Sequence, residues 1–173
     1  MTTLTSKICI VGDFAVGKTS VCERFVKNEF SEKYLTTVGV KIDTKEIHLE
    51  RRNVDVKMVL WDVAGSDKFG DKEFAYLRGA AGYLYVADGT RSLTLSTAAT
   101  LKKDIDKRFD DKPGILLVNK CDLTDAWEVS DELLAIQRKR FVEVFETSAK
   151  VGTAVDDALT RLAELVVDEV LDD

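Results

Sequence analysis

The sequence predicts an α/β protein whose mostly parallel sheet is covered by helices on both faces. Short apolar runs alternate along the chain with helical patterns, and this alternation requires crossover connections that make neighbouring strands parallel. The composition fits a packed domain, with 45% hydrophobic and 32% charged residues in 173. Because no internal repeat, biased segment or linker is present, we expect a single domain over residues 1–173.

Six strands are expected, one of them antiparallel, together with about five helices. The first strand is the apolar run 8–11, which stops at a glycine, and the next helix has its apolar residues on one face. Two runs rich in Val, Ile and Thr, 40–49 and 54–61, enclose a polar turn and are typical of an antiparallel hairpin, with Arg51 and Arg52 as turn charges. Thr153 is expected to cap the last helix. The other elements are strand 83–87, helix 93–109, strand 115–118, helix 131–138, strand 141–145 and a final helix over 155–166.

Charge and cysteine content exclude several classes of protein. Lys and Arg number 25 against 31 Asp and Glu, a net charge of −6, whereas a nucleic-acid-binding face is normally basic. No apolar run approaches the roughly 18 residues of a membrane span, and the start lacks the apolar stretch of a signal peptide, so we expect a cytoplasmic protein. Cys9, Cys22 and Cys121 are too widely spaced for a disulfide framework or a zinc site and are expected to be reduced.

Residues 12–19, G-D-F-A-V-G-K-T, match the phosphate-loop pattern G-x-x-x-x-G-K-[ST]. Glycines let the backbone wrap closely and point its N–H groups at phosphate oxygens, and the helix that follows adds its positive end. Lys18 would reach the β- and γ-phosphates, and the Thr19 hydroxyl would coordinate Mg²⁺. A glycine-rich turn with a chance lysine is the alternative, but the position between a strand and a helix favours nucleotide binding.

Three more polar clusters follow the third, fifth and sixth expected strands, at residues 62–65, 119–122 and 148–150. Ligands of such sheets bind beyond the carboxyl ends of the strands, where these clusters meet. The Asp122 carboxylate can accept two hydrogen bonds from N1–H and the exocyclic amine of guanine, a pattern that adenine cannot supply. Taken alone, residues 119–122 could equally be an ordinary polar turn.

Together these motifs resemble the Ras superfamily of small GTPases, and the Rab family most closely, over nearly the whole chain from Lys7 to the final helix. Phe30, Tyr34 and residues 37–40 look like the first switch of that family, and residues 61–65 look like the start of the second. Residues 76–80, Y-L-R-G-A, resemble the stretch that follows in Rab proteins, and residues 145–150 resemble the last guanine loop. The resemblance implies a small G domain that binds GTP or GDP with Mg²⁺ and hydrolyses GTP.

The resemblance also implies a role for individual residues. The guanine would be held by Phe30, Asn119, Lys120, Asp122, Ser148, Ala149 and Lys150. The phosphates would be held by Asp13, Ala15, Val16, Gly17, Lys18, Thr19, Ser20, Thr37 and Gly65. The metal would be held by Thr19, by Thr37 and, through a water, by Asp62. The catalytic set would be Lys18, Thr37, Gly65 and Ser66.

Three positions depart from the family pattern. Ser66 stands where a glutamine normally orients the attacking water, and a serine hydroxyl is too short to reach that water. Phe14 fills a phosphate-loop position that is usually small, and it should crowd an arginine from an activating partner. The chain does not supply a substitute for that arginine itself, because the residue two positions before Thr37 is Leu35. We therefore expect slow intrinsic hydrolysis, with two alternatives open: a guanine-nucleotide-binding module with negligible turnover, and a P-loop kinase or ATPase that uses another base.

Partners are expected to be effector, exchange-factor and activating proteins. They would contact the segment between Thr37 and Ile47 and the segment between Asp62 and Arg78. The sequence ends in the acidic stretch 168–173 rather than in the prenylated cysteines of typical Rab proteins, so we expect no membrane anchor in this sequence. A monomer is expected.

Overall fold

A computed structural model describes residues 2–32, 37, 39–65 and 69–172, with the backbone alone at Thr2. The sheet has six strands: β1 (Thr2–Gly12), β2 (Val40–Leu49), β3 (Val54–Val63), β4 (Gly82–Asp88), β5 (Gly114–Asn119) and β6 (Glu143–Glu146). Five helices accompany it: α1 (Lys18–Lys27), α2 (Asp71–Tyr76), α3 (Leu93–Arg108), α4 (Asp131–Arg140) and α5 (Val155–Leu171). A short 3₁₀ helix, Thr124–Ala126, follows β5.

The strands lie in the order β2-β3-β1-β4-β5-β6. The β2–β3 pair is antiparallel and the other four pairs are parallel, which confirms the predicted fold class. Because β1, β3, β4, β5 and β6 run in one direction, the loops that follow them lie at the same edge of the sheet. This edge brings the sequence motifs together.

Two hydrophobic clusters lie on opposite faces of the sheet. Successive residues of β1 alternate between them, with Ile8 and Ile10 in one cluster and Cys9 and Val11 in the other, as the period of a strand requires. Helices α1 and α5 cover the first face, and α2, α3 and α4 cover the second. The central strands are therefore packed on both faces, and the loops at the site begin from these buried strands.

Several element boundaries differ from those expected. Strand β1 begins at Thr2 rather than at residue 8, because residues 2–7 pair with β3 from Val54 onwards. Strand β6 begins at Glu143 rather than at 141, because Phe141 ends α4 with its N–H bonded to the Gln137 carbonyl. The prediction that Thr153 caps the last helix is wrong. Ala154 occupies that position in a left-handed conformation, φ 57°, and its cap makes no side-chain hydrogen bond.

The β2–β3 turn is tied to the end of α5 by ion pairs. Arg51 and Arg52 both contact Asp168, at 3.2 and 2.9 Å, and Arg52 also contacts Asp172 at 2.9 Å. These arginines lie at the turn, as interpreted from the sequence, but their partners are more than a hundred residues away in the chain. Charge pairing thus links the hairpin to the last helix.

The cysteines are free, as expected, with Cys9 and Cys22 buried and Cys121 half-buried. Burial raises the pKa of the Cys9 thiol to about 12, so this group stays protonated at neutral pH. Within the described part of the chain, no helix has the length and apolar character needed to cross a membrane.

Candidate nucleotide and metal site

The phosphate loop joins β1 to α1 and has a tightly constrained backbone. Gly17 precedes α1 with φ 102°, and a Cβ at this position would overlap the Asn119 side-chain amide. Ala15 has φ 59°, a left-handed conformation that is unfavourable for a residue with a side chain. The loop therefore curves tightly against Asn119 at the end of β5.

Lys18 begins α1 and its side chain is only 6% exposed. Its ammonium group donates to the carbonyl oxygens of Asp13 and Gly12, at 2.7 and 3.2 Å. Burial lowers the pKa of Lys18 to about 8, although Asp62 and Asp13 oppose the shift. A Cβ on Gly65 would lie 2.6 Å from the Lys18 ammonium nitrogen and 2.7 Å from the Asp13 carbonyl oxygen. Glycine is required there by this close approach.

Three side-chain oxygens meet beside Lys18 and would suit a divalent cation. The Thr19 hydroxyl donates to Oδ2 of Asp62 at 2.5 Å, the Thr37 hydroxyl lies 3.3 Å from the same oxygen, and the two hydroxyls contact each other. The other oxygen of Asp62, Oδ1, is buried and has no hydrogen-bond partner among the described residues. Burial raises the pKa of Asp62, against the Thr19 hydrogen bond and the Lys18 charge. Mg²⁺ prefers oxygen ligands and would remove that penalty, so these residues fit it.

A cleft of about 300 Å³ lies where the sequence predicts that guanine binds. It is lined by Ala15, Gly17, Ser20, Phe30, Ser31, Glu32, Asn119, Lys120, Asp122, Leu123, Ala149 and Lys150. The structure thus brings the phosphate loop, the loop after β5 and the loop after β6 to one cavity. Phe30 lines the cleft and also packs against the core cluster on the α1 face, so its position agrees with both a base contact and a hydrophobic anchor.

Asn119 connects the three loops at the back of this cleft. Its amide nitrogen donates to the Val16 carbonyl at 3.1 Å, and its amide oxygen accepts from the Thr147 hydroxyl and the Ala149 N–H, each at 3.2 Å. The Ser148 hydroxyl donates to the Asp122 carboxylate at 2.7 Å and so orients it. Ser148 itself is fully buried.

Two other residues expected to bind phosphate, Asp13 and Val16, have side chains that are engaged elsewhere in the structure. The Asp13 carboxylate accepts from the Phe14 N–H at 2.7 Å and from the Thr97 hydroxyl at 3.0 Å, so its side chain braces the loop against α3. The side chain of Val16 is fully buried in the core. Both residues would reach a phosphate through their backbone alone. Lys150 lies 3.6 Å from Glu32, at the mouth of the cleft.

Some expectations fall outside the described residues. These are the serine at the usual glutamine position, Ser66, and the first-switch residues Tyr34, Leu35 and Val38. Phe14 is described, and its side chain is 46% exposed at the phosphate loop.

Two residues at the site were not predicted from the sequence. Arg24 of α1 donates to the carbonyl oxygens of Ala149 and Lys150, at 2.8 and 2.6 Å, and so joins the helix to the guanine loop. Asp88 ends β4 and forms ion pairs with Arg91 and Lys120. Asp88 is a polar residue at the end of an apolar strand, which is the signal that identified the other clusters. Arg24 has no comparable signal, because its partners lie 125 and 126 residues away.

Comparison with known proteins agrees with the fold. The profile of the Ras family matches residues 7–168. Ras-related proteins Rab-32C and Rab-32A of Dictyostelium discoideum are each 38% identical to the chain, over 95% of it and over 75% and 77% of their own lengths. Human Ras-related protein Rab-32 is 32% identical over 93% of this chain and 74% of its own. The chain therefore belongs to the Ras family of small GTPases and is similar to Rab proteins.

Proposed function

We propose that the protein is a guanine-nucleotide switch that holds GTP or GDP with Mg²⁺ and hydrolyses GTP to GDP and phosphate, slowly without a partner. One observation carries the proposal. Four polar clusters, from the ends of β1, β3 and β5 and from the loop after β6, converge at one edge of the sheet. Family membership supports the same class of reaction.

The phosphate end of the site would bind through charge and backbone donors. The Lys18 ammonium would exchange its two carbonyl partners for phosphate oxygens, which also removes the cost of its burial. Backbone N–H groups would add to it from Asp13, Ala15, Val16, Gly17, Thr19 and Ser20. The N-terminus of α1 contributes its positive dipole end.

The metal end would respond to the γ-phosphate. Thr19 and Asp62 would hold Mg²⁺, the carboxylate through a water, and Thr37 would join when the γ-phosphate is present. Bound Mg²⁺ neutralises charge on the phosphate oxygens. Because Thr37 and the Gly65 N–H would both lose their contact when the γ-phosphate leaves, hydrolysis would change two segments at once and so change the partners that bind.

The base end would select guanine. Asp122, oriented by Ser148, would accept hydrogen bonds from N1–H and the exocyclic amine, and the Ala149 N–H would donate to the guanine carbonyl oxygen. Asn119, Lys120 and the side chains at the mouth, Phe30 and Lys150, would complete the pocket.

Hydrolysis transfers the γ-phosphoryl group to water: a new P–O bond forms as the bond to the β–γ bridging oxygen breaks. Lys18, Thr37 and Gly65 would stabilise the charge on that group, but Ser66 is too short to orient the water. The exposed Phe14 ring would crowd an arginine supplied by a partner. The same two residues favour the second candidate function, a binding module with negligible turnover.

Partner proteins would bind the segments whose contacts change when the γ-phosphate leaves. Strand β2 lies at the edge of the sheet with Ile42 50% exposed, which leaves its outer side open to an effector. We propose effectors, exchange factors and activating proteins as the partners, bound by a monomer through the segments from Thr37 to Ile47 and from Asp62 to Arg78.

Single-turnover hydrolysis of preloaded GTP with Mg²⁺ tests the proposal. We expect slow hydrolysis by the native protein and a rate roughly tenfold or more higher in Ser66→Gln, since a glutamine amide can hold the water. Ser96→Gln, on the exposed face of α3, is the matched control. Retention of GTP without turnover in either protein would favour the binding module. A native rate as fast as that of a partner-assisted GTPase would contradict slow hydrolysis.

A further inference from the structure

Arg91 lies in the loop between β4 and α3, outside the motifs of the nucleotide site. Its guanidinium group is forked between two partners. Nη2 donates to the Phe14 carbonyl oxygen at 2.7 Å, and Nε donates to Oδ2 of Asp88 at 3.0 Å. A residue 77 positions away in sequence thus holds the backbone of the phosphate loop.

Asp88 is the anchor of this contact. It is fully buried, and its Oδ1 accepts from the N–H and the hydroxyl of Thr90, at 2.8 and 2.7 Å. Its Oδ2 also pairs with the Lys120 ammonium at 2.8 Å, and Lys120 donates to the Ala15 carbonyl at 3.0 Å. One buried carboxylate therefore fixes two cations, and these hold the carbonyls of two consecutive loop residues, Phe14 and Ala15.

Holding a carbonyl also orients an N–H group. In a planar trans peptide the C=O and the N–H of the next residue point in opposite directions. Fixing the Phe14 carbonyl therefore orients the N–H of Ala15, and fixing the Ala15 carbonyl orients the N–H of Val16. Ala15 also has its unfavourable φ of 59°, a conformation that surrounding contacts must maintain.

The loop that carries Arg91 is itself fixed to the segment before α4. Trp127 packs directly on Gly89, where any Cβ would overlap the indole ring. Glu128 bonds the loop twice, its N–H to the Gly89 carbonyl and its carboxylate to the Ser92 N–H, each at 2.8 Å. These contacts therefore hold the loop that carries Arg91 in place.

We propose that Arg91 is a positioning residue for nucleotide binding: anchored by Asp88, it holds the Phe14 carbonyl so that the Ala15 N–H faces the β-phosphate. This inference rests on the proposed binding of guanine nucleotides. It assigns to Arg91 a selective effect on the β-phosphate and none on the base.

Competition binding of GDP and GMP to the purified protein tests this role. Arg91→Ala should weaken GDP binding about tenfold, the equivalent of about 1.4 kcal/mol, and GMP binding less than about twofold. Arg91→Lys keeps a cation but loses the fork, so its loss should be smaller. Arg108→Ala, which removes an arginine at the other end of α3 from its position over the Phe74 ring, is the matched control. In an Asp88→Asn background, Arg91→Ala should add little further loss, because its anchor is already weakened.

Equal losses of GDP and GMP affinity in Arg91→Ala, or no loss of either, would overturn the inference while leaving the proposed function intact. Full additivity of the two substitutions would also overturn it, since Arg91 would then act without Asp88. Failure of the native protein to bind GDP would instead contradict the proposed function and remove the basis of the inference. Thermal unfolding of each variant shows whether it is folded.

Discussion

Gly17 lies where the phosphate loop approaches Asn119, the last residue of β5, too closely for any side chain. A Cβ there would overlap the Asn119 amide, which donates to the Val16 carbonyl. Individual residues of this kind determine the shape of the site, and two predictions follow from them.

Replacing Gly17 by alanine should destabilise the protein by about 2–4 kcal/mol. The substitution combines an unfavourable left-handed backbone, φ 102°, with displacement of the Asn119 amide from its partners. Gly79→Ala is a close control, because Gly79 has φ 76° but a Cβ there would meet no described atom within 4 Å. We expect a loss of about 1–2 kcal/mol for that variant, from the backbone alone. Urea denaturation at a fixed GDP concentration measures both, and equal losses would contradict the role of the Asn119 contact.

Asp62→Asn should raise the Mg²⁺ concentration that is needed to retain GDP. The substitution removes the charge that would attract the ion, and loss of a group that acts through a metal-bound water typically lowers metal affinity about 10–100-fold. The measurement is the rate of fluorescent GDP release over a range of Mg²⁺ concentrations, with EDTA as the endpoint. Asp55→Asn, on β3 beside His48, should retain the native Mg²⁺ dependence. If Asp62→Asn required no more Mg²⁺ than the native protein, the three oxygens would not be the metal site.

At the scale of elements, helix α1 connects the phosphate loop to the loop after β6. Its first residue is Lys18, and six residues further on Arg24 bonds the carbonyls of Ala149 and Lys150. The helix that begins at Lys18 thus also holds the loop after β6, which we propose binds guanine. A shift of this helix would affect both contacts.

Arg24→Ala should accelerate GDP release about tenfold, because charged hydrogen bonds to two carbonyls contribute more than about 1.4 kcal/mol. Stopped-flow release of fluorescent GDP measures this. Lys27→Ala, on the same helix and paired with Glu23 at 3.5 Å, should release GDP at nearly the native rate. A native release rate in Arg24→Ala would show that the guanine loop keeps its position without the helix.

Elements were predictable to different degrees. The order of strands and helices followed from local apolar periodicity, and the phosphate loop followed from eight consecutive residues. The cap of α5 did not, because the left-handed Ala154 takes the place that Thr153 was expected to fill, and alanine has no signal for that conformation. The pairing of Arg51 and Arg52 with α5 could not be predicted either, since local sequence says nothing about partners 116 or more residues away.

At the scale of the whole molecule, buried polar groups join strands that are distant in sequence. Asn119 connects the phosphate loop to the loop after β6, and Asp88 connects it to β4 and β5. Asn119 was identified from sequence because it lies in a motif, although its bridging role appears only in three dimensions. Because Asp88 is a titratable group in these links, we expect the free energy of unfolding to depend on pH.

Burial raises the pKa of Asp88, but hydrogen bonds from Lys120, Thr90 and Arg91 outweigh it and hold the pKa below its usual value. The unfolded chain therefore binds the proton more readily, so Asp88 stabilises the fold above about pH 4 and loses that effect as the pH falls through its lower folded value. Asp88→Asn should be less stable by about 1–3 kcal/mol at pH 7, and the difference should shrink below pH 4.

Urea unfolding between pH 3 and 7, at fixed GDP and Mg²⁺, measures this difference. Asp110→Asn, at an exposed position before β5, is the matched control and should be about as stable as the native protein at pH 7. A deficit in Asp88→Asn that stayed constant with pH would contradict the assignment.

We propose above all that this cleft selects guanine nucleotides through Asp122. The most direct test of this claim is competition of GDP, XDP and ADP against bound fluorescent GDP, for the native protein and for Asp122→Asn. We expect the native protein to prefer GDP strongly over both competitors. We expect the variant to shift its preference toward XDP, because an asparagine amide can donate to the xanthine carbonyl that replaces the guanine amine. Equal competition by ADP and GDP in the native protein, or an unchanged preference in the variant, would contradict the claim.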